Sequence, residues 1–537
     1  MAHSVWLLCH TLLEFLWNFL LFLRQKHPWE EWELFSWGRV EQPQGLSDIP
    51  VAQLALYRAA GVEPYTVSAA AGRGLRCSRR GGLAAGVTLW DEPPYAALLA
   101  VRLWKSHCQH CYSALTPSHV AGATCEDWRE CLRCRQVAYC SEACQAADLH
   151  HRDECDWLRR SRPNDAELTH ARILGARIAR RWKRSKELPR DDGFGCLYTN
   201  HSRLSAAVRR DIVAQLGAVR ELAPAAELDA SSLLNLFGRQ FANACSMPMP
   251  MWTHGAVHRD ICSTSQSSGS GIWLLLSLCN HSCEPNCWPH ISKGGRLSLR
   301  TLRPISFGEP ITISYVVQPM PFFARRQHLQ SVYHFSCNCG RCQREEAVFI
   351  TSNGQTMPCA GVEHAWELVQ AGEAERDAAE LGNAEALFRE ALVSCSEAQD
   401  KINATVAAVR VRALDGLARI ALGNQRWRLA IHMLERSFEA RCATVQAGGR
   451  YVSSGHAHGS QGSTDHLEGV LAMEIAQLHA RCGDSDEARK WAEFGRMSLE
   501  RTHGRDVAAL ICAHGRGSDR QPFGRPHIQT QEASINF

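Results

Sequence analysis

A short polar run in the middle of the chain decides how the rest of the sequence is interpreted. It reads Asn280-His281-Ser282-Cys283-Glu284-Pro285-Asn286. The apolar run from Ile272 to Leu278 precedes it and predicts a buried strand or helix that ends in a tight polar turn. Polar side chains at such a junction can line a binding site. The simpler interpretation is that Asn and Ser only cap the turn and that His281 is a structural histidine.

Two motifs lie downstream of the polar run. The first predicts a turn followed by a short alternating strand, with Tyr315 at its end; it reads Gly308-Glu309-Pro310-Ile311-Thr312-Ile313-Ser314-Tyr315. The second is a C-x-C-x2-C cluster formed by Cys337, Cys339 and Cys342. Three thiolates leave a zinc ion one ligand short, so a distant residue must complete the site and make it a clip between two parts of the chain. An iron–sulfur or copper fragment is the alternative.

Upstream, Gly72-Arg73-Gly74 gives only a weak signal. A Gly-x-Gly lets the backbone approach a ligand closely, but glycine pairs also form ordinary turns. The motif does not extend to G-x-G-x-x-G, so it does not indicate a dinucleotide-binding fold.

Four pairs of metal-ligand residues fall within a segment of about fifty residues. Zinc in structural sites takes four nitrogen or sulfur ligands, so eight ligands predict two closed sites. A segment this small has little core of its own, and chelation should unfold it. The alternative is a run of buried free cysteines. The eight residues are Cys108, Cys111, Cys131, Cys134, Cys140, Cys144, His151 and Cys155.

Length and composition set limits on the remaining classes. A chain of 537 residues, 45% of them hydrophobic, predicts two to four folded units and excludes a collagen, a coiled-coil rod or a disordered protein. The balance of 59 basic and 55 acidic residues does not by itself indicate nucleic acid. The 24 cysteines, many in short C-x2-C steps, suit metal binding in a reducing compartment better than disulfides.

The N-terminus raises the question of a membrane anchor. The stretch from Val5 to Leu23 is almost wholly apolar, which fits a signal anchor. His10, Glu14 and Asn18 lie inside it, and a charge near the centre of a span is costly. An amphipathic helix that packs on the protein, or a dispensable leader, is therefore favoured over a membrane anchor.

Two regions read as helical. Residues 160–240 carry a basic run from Arg180 to Lys186, which predicts a solvated helix face; a nucleic-acid or acidic-tail contact is the weaker alternative. From about Glu363 to Leu510 the chain has helical spacing, with a repeat near 40 residues once the loop from Gly448 to Asp465 is subtracted. Stacked tetratricopeptide-type helix pairs or a plain helical bundle both fit. Past Gly515 the composition predicts a disordered tail.

Taken in order, these motifs resemble the SET and MYND domain protein lysine methyltransferases. The order C-x2-C, C-x2-C, Y-C-x3-C, H-x3-C resembles a MYND zinc finger, with Tyr139 before Cys140, and the five motifs span about residues 60–345. The resemblance implies an α+β fold: a split SET β-fold with an inserted MYND zinc finger and a post-SET zinc clip, followed by an all-α TPR-like domain. It divides the chain into an N-terminal extension (1–59), the first part of the SET domain (60–107), the finger (108–155), the inserted helices and SET core (156–335), the post-SET segment (336–345), the helical domain (360–512) and a tail (513–537).

The resemblance also implies three zinc ions and S-adenosylmethionine as cofactors. In the family the first and third ligand pairs of the finger share one ion and the second and fourth share the other, and Cys283 completes the clip with Cys337, Cys339 and Cys342. Tyr315 is then the catalytic phenol, and Tyr333 lines the lysine channel together with position 245. The implied cofactor contacts are Gly72, Arg73, Gly74, Asn243, Ser277, Asn280, His281 and Phe335.

The sequence departs from the family pattern at Ala71, Pro310 and Cys245. Cys245 stands where relatives carry a channel phenylalanine, which puts substrate choice and the number of methyl groups in doubt. Two functions therefore follow: transfer of methyl groups to lysines of histone or other proteins, or an adaptor whose SET fold has lost turnover and which recruits partners, for example in transcriptional repression. Expected partners are substrate proteins, and peptides that the finger and the repeats bind; the expected location is the cytoplasm and nucleus.

Overall fold

The computed structural model describes residues 45–68, 72–113, 115, 128–162, 167–187, 193–247, 269–316, 319–349, 360–397, 404–446 and 468–504. The apolar stretch from Val5 to Leu23, the loop from Gly448 to Asp465 and the tail past Gly515 lie outside these residues. Within them, no helix combines the length and the apolar character that crossing a membrane requires.

Short strands from distant parts of the chain build the α/β core. The structure has β1 (Val62–Ser68), β2 (Gly72–Cys77), β3 (Thr88–Glu92), β4 (Ala96–Leu99), β5 (Arg129–Glu130), β6 (Ala138–Tyr139), β7 (Cys245–Met247), β8 (Gly269–Ile272), β9 (Asn280–His281), β10 (Cys287–Ile291), β11 (Leu297–Thr301) and β12 (Pro310–Ile313). They form four small sheets, ordered β1-β2-β12-β9, β10-β11-β3, β4-β8-β7 and β5-β6. Because residues far apart in sequence pair in three of these sheets, the core closes only when the distant segments meet.

The first sheet carries the motifs that the sequence singled out. β2 pairs antiparallel with β1 and with β12, and β12 pairs parallel with β9. The alternative that Gly72 to Gly74 form an ordinary turn is wrong: all three lie in β2, with Gly74 opposite Tyr65. The strand is favoured because Leu75 packs in the core while its neighbours stay paired on both sides.

The run from Ile272 to Leu278 is neither one strand nor one helix. β8 ends at Ile272, and a 3₁₀ turn spans Leu276–Leu278. Trp273 and Leu275, between the two, are still buried. The run is therefore apolar because the core surrounds it and not because it forms one regular element.

Helices carry the last metal ligands and then form much of residues 160–240, where the sequence predicts them. They are α2 (Glu142–Ala147), α3 (Leu149–Ser161), α4 (Glu167–Glu187), α5 (Ala206–Ala214), α6 (Leu216–Leu222) and α7 (Ala230–Asn243), and α1 (Val51–Ala59) precedes the strands. The prediction of a solvated face holds for part of the basic run on α4, because Arg181 and Arg184 are exposed whereas Arg180 is buried. Arg180 is buried against Glu154, Arg181 donates to the carbonyl oxygen of Tyr95, and Lys183 pairs with Glu227.

The C-terminal region is helical, as expected. α8 (Phe322–His328), a π-helical turn (Leu329–Tyr333) and α9 (Gly340–Phe349) lead into α10 (Ala360–Asp377), α11 (Leu381–Glu397), α12 (Ala404–Gly423), α13 (Trp427–Gln446), α14 (Glu468–Arg481) and α15 (Ser485–His503). Consecutive helices pack against each other and share one apolar core around Phe388.

The helices α10 to α15 contact the preceding part of the chain at two places. At one, the backbone amide of Phe322 donates to Oγ1 of Thr405 on α12, and that hydroxyl donates to Glu345. At the other, α15 ends beside β11, where Arg300 lies close to Gly504. The first contact therefore joins α12 to α8 and α9, and the second joins the end of α15 to the strand core.

Candidate active site and metal centres

The parallel pairing of β9 with β12 brings the polar run beside the segment that ends at Tyr315. Thr312 lies opposite Asn280, and Ile313 lies opposite His281. Past the strand, the backbone amide of Tyr315 donates to Nδ1 of His281 at 2.9 Å. Two motifs separated by more than thirty residues therefore form one surface.

β2 contributes the other wall. The side-chain amide of Asn280 donates to the carbonyl oxygen of Arg73 at 3.1 Å. A Cβ atom at position 74 would lie 2.6 Å from Nδ2 of Asn280, so only glycine leaves room for this contact. Gly72 has a φ of 68°, a backbone conformation that glycine adopts without strain. The two glycines therefore shape the backbone that faces Asn280.

The phenol of Tyr315 is directed at the backbone just before the polar run. Its hydroxyl donates to the carbonyl oxygen of Cys279 at 2.7 Å. Burial raises the pKa of Tyr315 above its ordinary value, and the nearby Cys279 and Cys245 thiols add to the shift. The phenol consequently stays protonated at neutral pH, and it acts as a hydrogen-bonding hydroxyl and not as a phenolate base.

Aromatic rings surround Tyr315. The ring centroid of Tyr333 lies 4.8 Å from that of Tyr315, and the Phe335 centroid lies 6.5 Å from it, edge to face. His281 lies 5.4 Å away, and His328 lies edge-on to Tyr333 at 6.4 Å. Burial lowers the pKa of His328 to about 4, so this imidazole is neutral at pH 7. Tyr315, Tyr333 and His328 are therefore uncharged at neutral pH.

Cys245 lies against the same rings. It packs on the core, and its thiol acts electrostatically on both Tyr315 and Tyr333. Burial raises the pKa of this thiol to about 12, so it is a small apolar side chain at neutral pH and not a thiolate. Cys245 is thus a neighbour of Tyr315 and Tyr333, and its role in a lysine channel stays a prediction.

Three of the predicted cofactor residues have side-chain donors with internal partners. The guanidinium of Arg73 donates to the carbonyl oxygens of Gly45 and Cys196. The side-chain amide of Asn243 donates to the carbonyl oxygens of Tyr198 and Arg239. The hydroxyl of Ser277 donates to the carbonyl oxygen of Trp273. The side chains of Asn243 and Ser277 therefore have only acceptor oxygens left for a ligand, whereas the Arg73 guanidinium has further N–H groups besides these two bonds.

The twelve predicted metal ligands form three groups of four. In each group the donor atoms lie within 4.8 Å of one another. The groups are Cys108, Cys111, Cys140 and Cys144; Cys131, Cys134, His151 and Cys155; and Cys283, Cys337, Cys339 and Cys342. This is the grouping that the family resemblance implies. The first two groups are interleaved in sequence, so each of them joins an earlier part of residues 108–155 to a later part.

The distances within the groups fit tetrahedral zinc. With Zn–S bonds of about 2.3 Å, ligand sulfurs in a tetrahedron are about 3.8 Å apart. The Cys111 and Cys140 sulfurs are 3.6 Å apart, those of Cys131 and Cys155 are 3.7 Å apart, and those of Cys283 and Cys342 are 3.5 Å apart. Sulfur and imidazole donors without carboxylates favour zinc over magnesium or calcium.

Two of the C-x2-C turns have the same local geometry. The residue after each pair, Tyr112 or Arg135, has a positive φ, and its amide donates back to the carbonyl oxygen of the first cysteine. The amide of Gln136 also donates to the sulfur of Cys134 at 3.4 Å. Such amide donors stabilise a thiolate, as a metal ligand requires.

The third cysteine group adjoins the Tyr315 cluster. Nε2 of His281 lies 3.2 Å from the sulfur of Cys283, while its Nδ1 accepts from Tyr315. Nε2 must therefore carry the ring proton of the neutral histidine and donate it to Cys283. One imidazole connects a metal-ligand sulfur to the backbone of the phenol.

Comparison with known proteins shows which families this chain resembles. A family model described as SET domain matches residues 124–316. Mouse histone-lysine N-methyltransferase SMYD3 is 29% identical over 46% of this chain, and the match covers 54% of that protein. Mouse histone-lysine N-methyltransferase Smyd1 is 24% identical over 82% of this chain and is covered to 89%, and chicken N-lysine methyltransferase SMYD2 is 28% identical over 53% and is covered to 61%. The chain is thus similar to SET and MYND domain methyltransferases.

The SET domain model does not cover the whole site. It includes Asn280, His281 and Tyr315, but β2, Phe335 and the last three metal-ligand cysteines lie outside residues 124–316. The match to SMYD3 likewise spans about half of that relative.

Sequence reasoning missed three parts of the site. The sequence could not indicate the carbonyl oxygen of Cys279, because every residue has a backbone carbonyl group. His328 lies in the Arg325-to-Tyr333 segment, where a histidine beside a predicted channel tyrosine was a usable sign. Glu92, an acid within the largely apolar run from Leu89 to Leu99, was another.

Proposed function

We propose that this protein is a protein-lysine N-methyltransferase that transfers methyl groups from S-adenosylmethionine to lysines of histone or non-histone proteins. One observation carries the proposal: the Tyr315 hydroxyl and the Cys279 carbonyl oxygen are hydrogen-bonded to each other inside an uncharged aromatic cluster, next to Asn280 and the Gly74 backbone. The names of the relatives agree with this activity.

The residues present suit the cofactor. When bound, S-adenosylmethionine supplies an electrophilic methyl group on a positively charged sulfur. The oxygens of Tyr315 and Cys279 are fixed partial negative charges that favour a cation beside them. Gly72, Gly74, Asn280 and His281 would hold the cofactor from the β2 and β9 side, with Phe335 against its adenine. Asn243 and Ser277 would contribute acceptor oxygens, and Arg73 would contribute its backbone.

The aromatic cluster has a separate task. A lysine side chain near pKa 10.4 is protonated in water and cannot act as a nucleophile. Tyr333, His328 and Cys245 are uncharged at pH 7, so a lysine side chain beside them loses hydration without gaining an ion pair. Desolvation therefore favours loss of its proton, and Tyr315 fixes the approach of the amine.

Three zinc ions would hold the remaining architecture. The two interleaved groups make residues 108–155 a MYND finger, which has no open coordination position and so serves peptide binding, not catalysis. The third group makes residues 336–345 a post-SET clip. The helix pairs from α10 to α15 form a TPR-like domain that offers a second surface to partner proteins. We place the protein in the cytoplasm and nucleus.

The proposal is tested with purified, zinc-replete protein, radiolabelled S-adenosylmethionine, core histones and a cell lysate. The matched control is Tyr315→Phe, which removes one hydroxyl and keeps the ring. We expect labelled lysine in at least one acceptor protein, and a drop of at least tenfold with Tyr315→Phe, because the oxygen beside the methyl group is lost.

Two results would overturn the proposal. Equal labelling by both proteins would assign the activity to a contaminant, and no labelling of any acceptor would leave the adaptor function. A calorimetric titration with S-adenosylmethionine shows separately whether the cofactor pocket is intact. If the Tyr315→Phe variant binds the cofactor with the same affinity as the wild-type protein, the variant retains the pocket.

A further inference from the structure

A buried carboxylate lies directly behind the candidate active site. Glu92 is the last residue of β3 and is 6% exposed. Its two oxygens accept hydrogen bonds from consecutive backbone amides, Leu275 at 3.0 Å and Leu276 at 2.9 Å. On the other side of the same segment, the buried hydroxyl of Tyr57 donates to the carbonyl oxygen of Leu275 at 2.9 Å. Glu92 and Tyr57 thus hold one peptide segment between them.

The segment that they hold leads straight into the site. Leu276 opens the 3₁₀ turn Leu276–Leu278, and the amide of Cys279 closes it by donating to the carbonyl oxygen of Leu276. The next carbonyl oxygen, that of Cys279, accepts from the Tyr315 hydroxyl, and the next side chain is Asn280. A rigid turn of three residues therefore separates the Glu92 hydrogen bonds from the oxygen that orients Tyr315.

We propose that Glu92 is a positioning residue for the active site: through the Leu275 and Leu276 amides its carboxylate fixes the Cys279 carbonyl, and thereby Tyr315 and Asn280, in the geometry that binds the cofactor. The inference rests on the proposed methyltransferase function for its catalytic consequence. The positioning itself is a property of the fold and can be measured without turnover.

Protonation of Glu92 adds a pH dependence. Burial raises the pKa of this carboxyl to about 7, against the opposing effect of the two amide hydrogen bonds. The titratable groups that act on Glu92 are Asp91 on its own strand, Tyr57 on α1 and Cys279 after the 3₁₀ turn. A protonated carboxyl has an O–H where it had an acceptor, so one of the two amide bonds is lost. The held segment is therefore tighter above pH 7 than below it.

The test compares Glu92→Gln with the wild-type protein, and uses Asp91→Asn as the matched control because Asp91 is the exposed neighbour on the same strand. Glutamine keeps the size but has one acceptor oxygen where glutamate has two. Cofactor affinity is measured by calorimetry at pH 6 and pH 8, and amide hydrogen exchange is measured over residues 273–281.

We expect Glu92→Gln to weaken cofactor binding about tenfold at pH 8, the effect of losing one hydrogen bond to a charged group. Wild-type binding should weaken severalfold from pH 8 to pH 6, and the variant should show much less of this dependence. The Leu275 and Leu276 amides should exchange faster in Glu92→Gln, relative to their intrinsic rates. Asp91→Asn should behave as wild type at pH 8, and it should lose less affinity toward pH 6, because removal of the Asp91 charge lowers the pKa of Glu92.

Unchanged affinity together with unchanged protection of these two amides would overturn the inference. If the wild-type protein binds no cofactor, the proposed function fails, and the exchange measurement still decides the positioning. If Glu92→Gln does not fold, exchange of the two amides in the wild-type protein at pH 6 and pH 8 takes its place: protection that does not rise with pH contradicts the role of the carboxylate.

Discussion

His281 accepts a hydrogen bond from the backbone amide of Tyr315 through Nδ1, at 2.9 Å, and places its other ring nitrogen 3.2 Å from the sulfur of Cys283. The orientation of the imidazole is therefore set from both sides. Since Cys283 belongs to the third metal-ligand group, a change in that group reaches the phenol through one side chain.

The clip should control cofactor binding without affecting the finger. Cys339→Ser removes one ligand of the third group, so metal analysis should fall from about three zinc ions per chain to about two. Cofactor affinity should fall about tenfold because His281 and Phe335 lose their support. Cys482→Ser, outside the three groups, is the control. A variant that retains its third zinc ion, or its full affinity, contradicts the coupling.

Gly74→Ala should weaken cofactor binding while the protein stays folded. The added Cβ would lie 2.6 Å from Nδ2 of Asn280, the end of a flexible side chain, so Asn280 turns away and loses its bond to Arg73. We expect a tenfold or larger loss of affinity by calorimetry, with a melting temperature within a few degrees of wild type. Gly217→Ala, where the added Cβ meets no atom within 4 Å, should bind normally. Equal affinities for the two variants would disprove the role of position 74.

Filling the channel at position 245 should lower the number of methyl groups added. Phenylalanine in place of Cys245 adds volume beside Tyr315 and Tyr333, and the space for an already methylated amine shrinks. Mass spectrometry of a methylated substrate should show a shift toward monomethyllysine for Cys245→Phe. Cys245→Ser, which keeps the size, should leave the product ratio unchanged. The same ratio for both variants would place residue 245 outside the channel.

A buried ion pair should carry much of the stability of the segment after the metal-ligand cysteines. Arg177 and Glu154 are 2% and 1% exposed and form two parallel hydrogen bonds of 2.9 and 2.7 Å that join α4 to α3. Glu154→Gln leaves the Arg177 charge without its partner, at a cost of about 3–5 kcal/mol. The melting temperature should fall by several degrees.

The exposed pair Arg133–Asp156 provides the comparison for this loss. Asp156→Asn should cost at most about 1 kcal/mol, because solvent screens an exposed pair. Equal effects of Glu154→Gln and Asp156→Asn on the melting temperature would show that burial of the first pair is not decisive.

The Leu275 and Leu276 amides favour the carboxylate form of Glu92, but burial of its charge outweighs them, so Glu92 should lower the free energy of unfolding of the wild-type protein as pH rises. Its pKa is raised from 4.5 to about 7 in the folded protein, so the folded state binds the proton more tightly than the unfolded chain. The tighter binding of this proton therefore adds to the free energy of unfolding. This added stability is fully present at low pH and is lost as the pH rises from 4.5 to about 7. The stability of wild type minus that of Glu92→Gln should therefore fall by about 1 kcal/mol between pH 6 and pH 8. A constant difference in denaturant midpoints would contradict the raised pKa.

Much of the architecture could be predicted because it is encoded locally. Paired cysteines at short spacing are typical of metal sites, so the eight ligands within residues 108–155 and the cluster Cys337, Cys339 and Cys342 were identifiable locally. Cys283 was expected only from the family resemblance, and the structure places it with that cluster. Helical periodicity likewise gave the C-terminal helices. The sequence could not decide whether Gly72 to Gly74 form a turn or a strand. They form a strand because β2 pairs with β1 and β12, and this pairing depends on residues elsewhere in the sequence.

The sequence by itself determined which residue types the protein has for metal binding and for an aromatic site, and in what order. Only the tertiary structure decided that Arg73 and Arg180 direct their charges inward, that Cys279 supplies a carbonyl oxygen to Tyr315, and that Glu92 lies behind it. The physical reason is that side-chain chemistry is carried by single residues. The backbone groups that receive their hydrogen bonds are the same at every position and are selected only by packing.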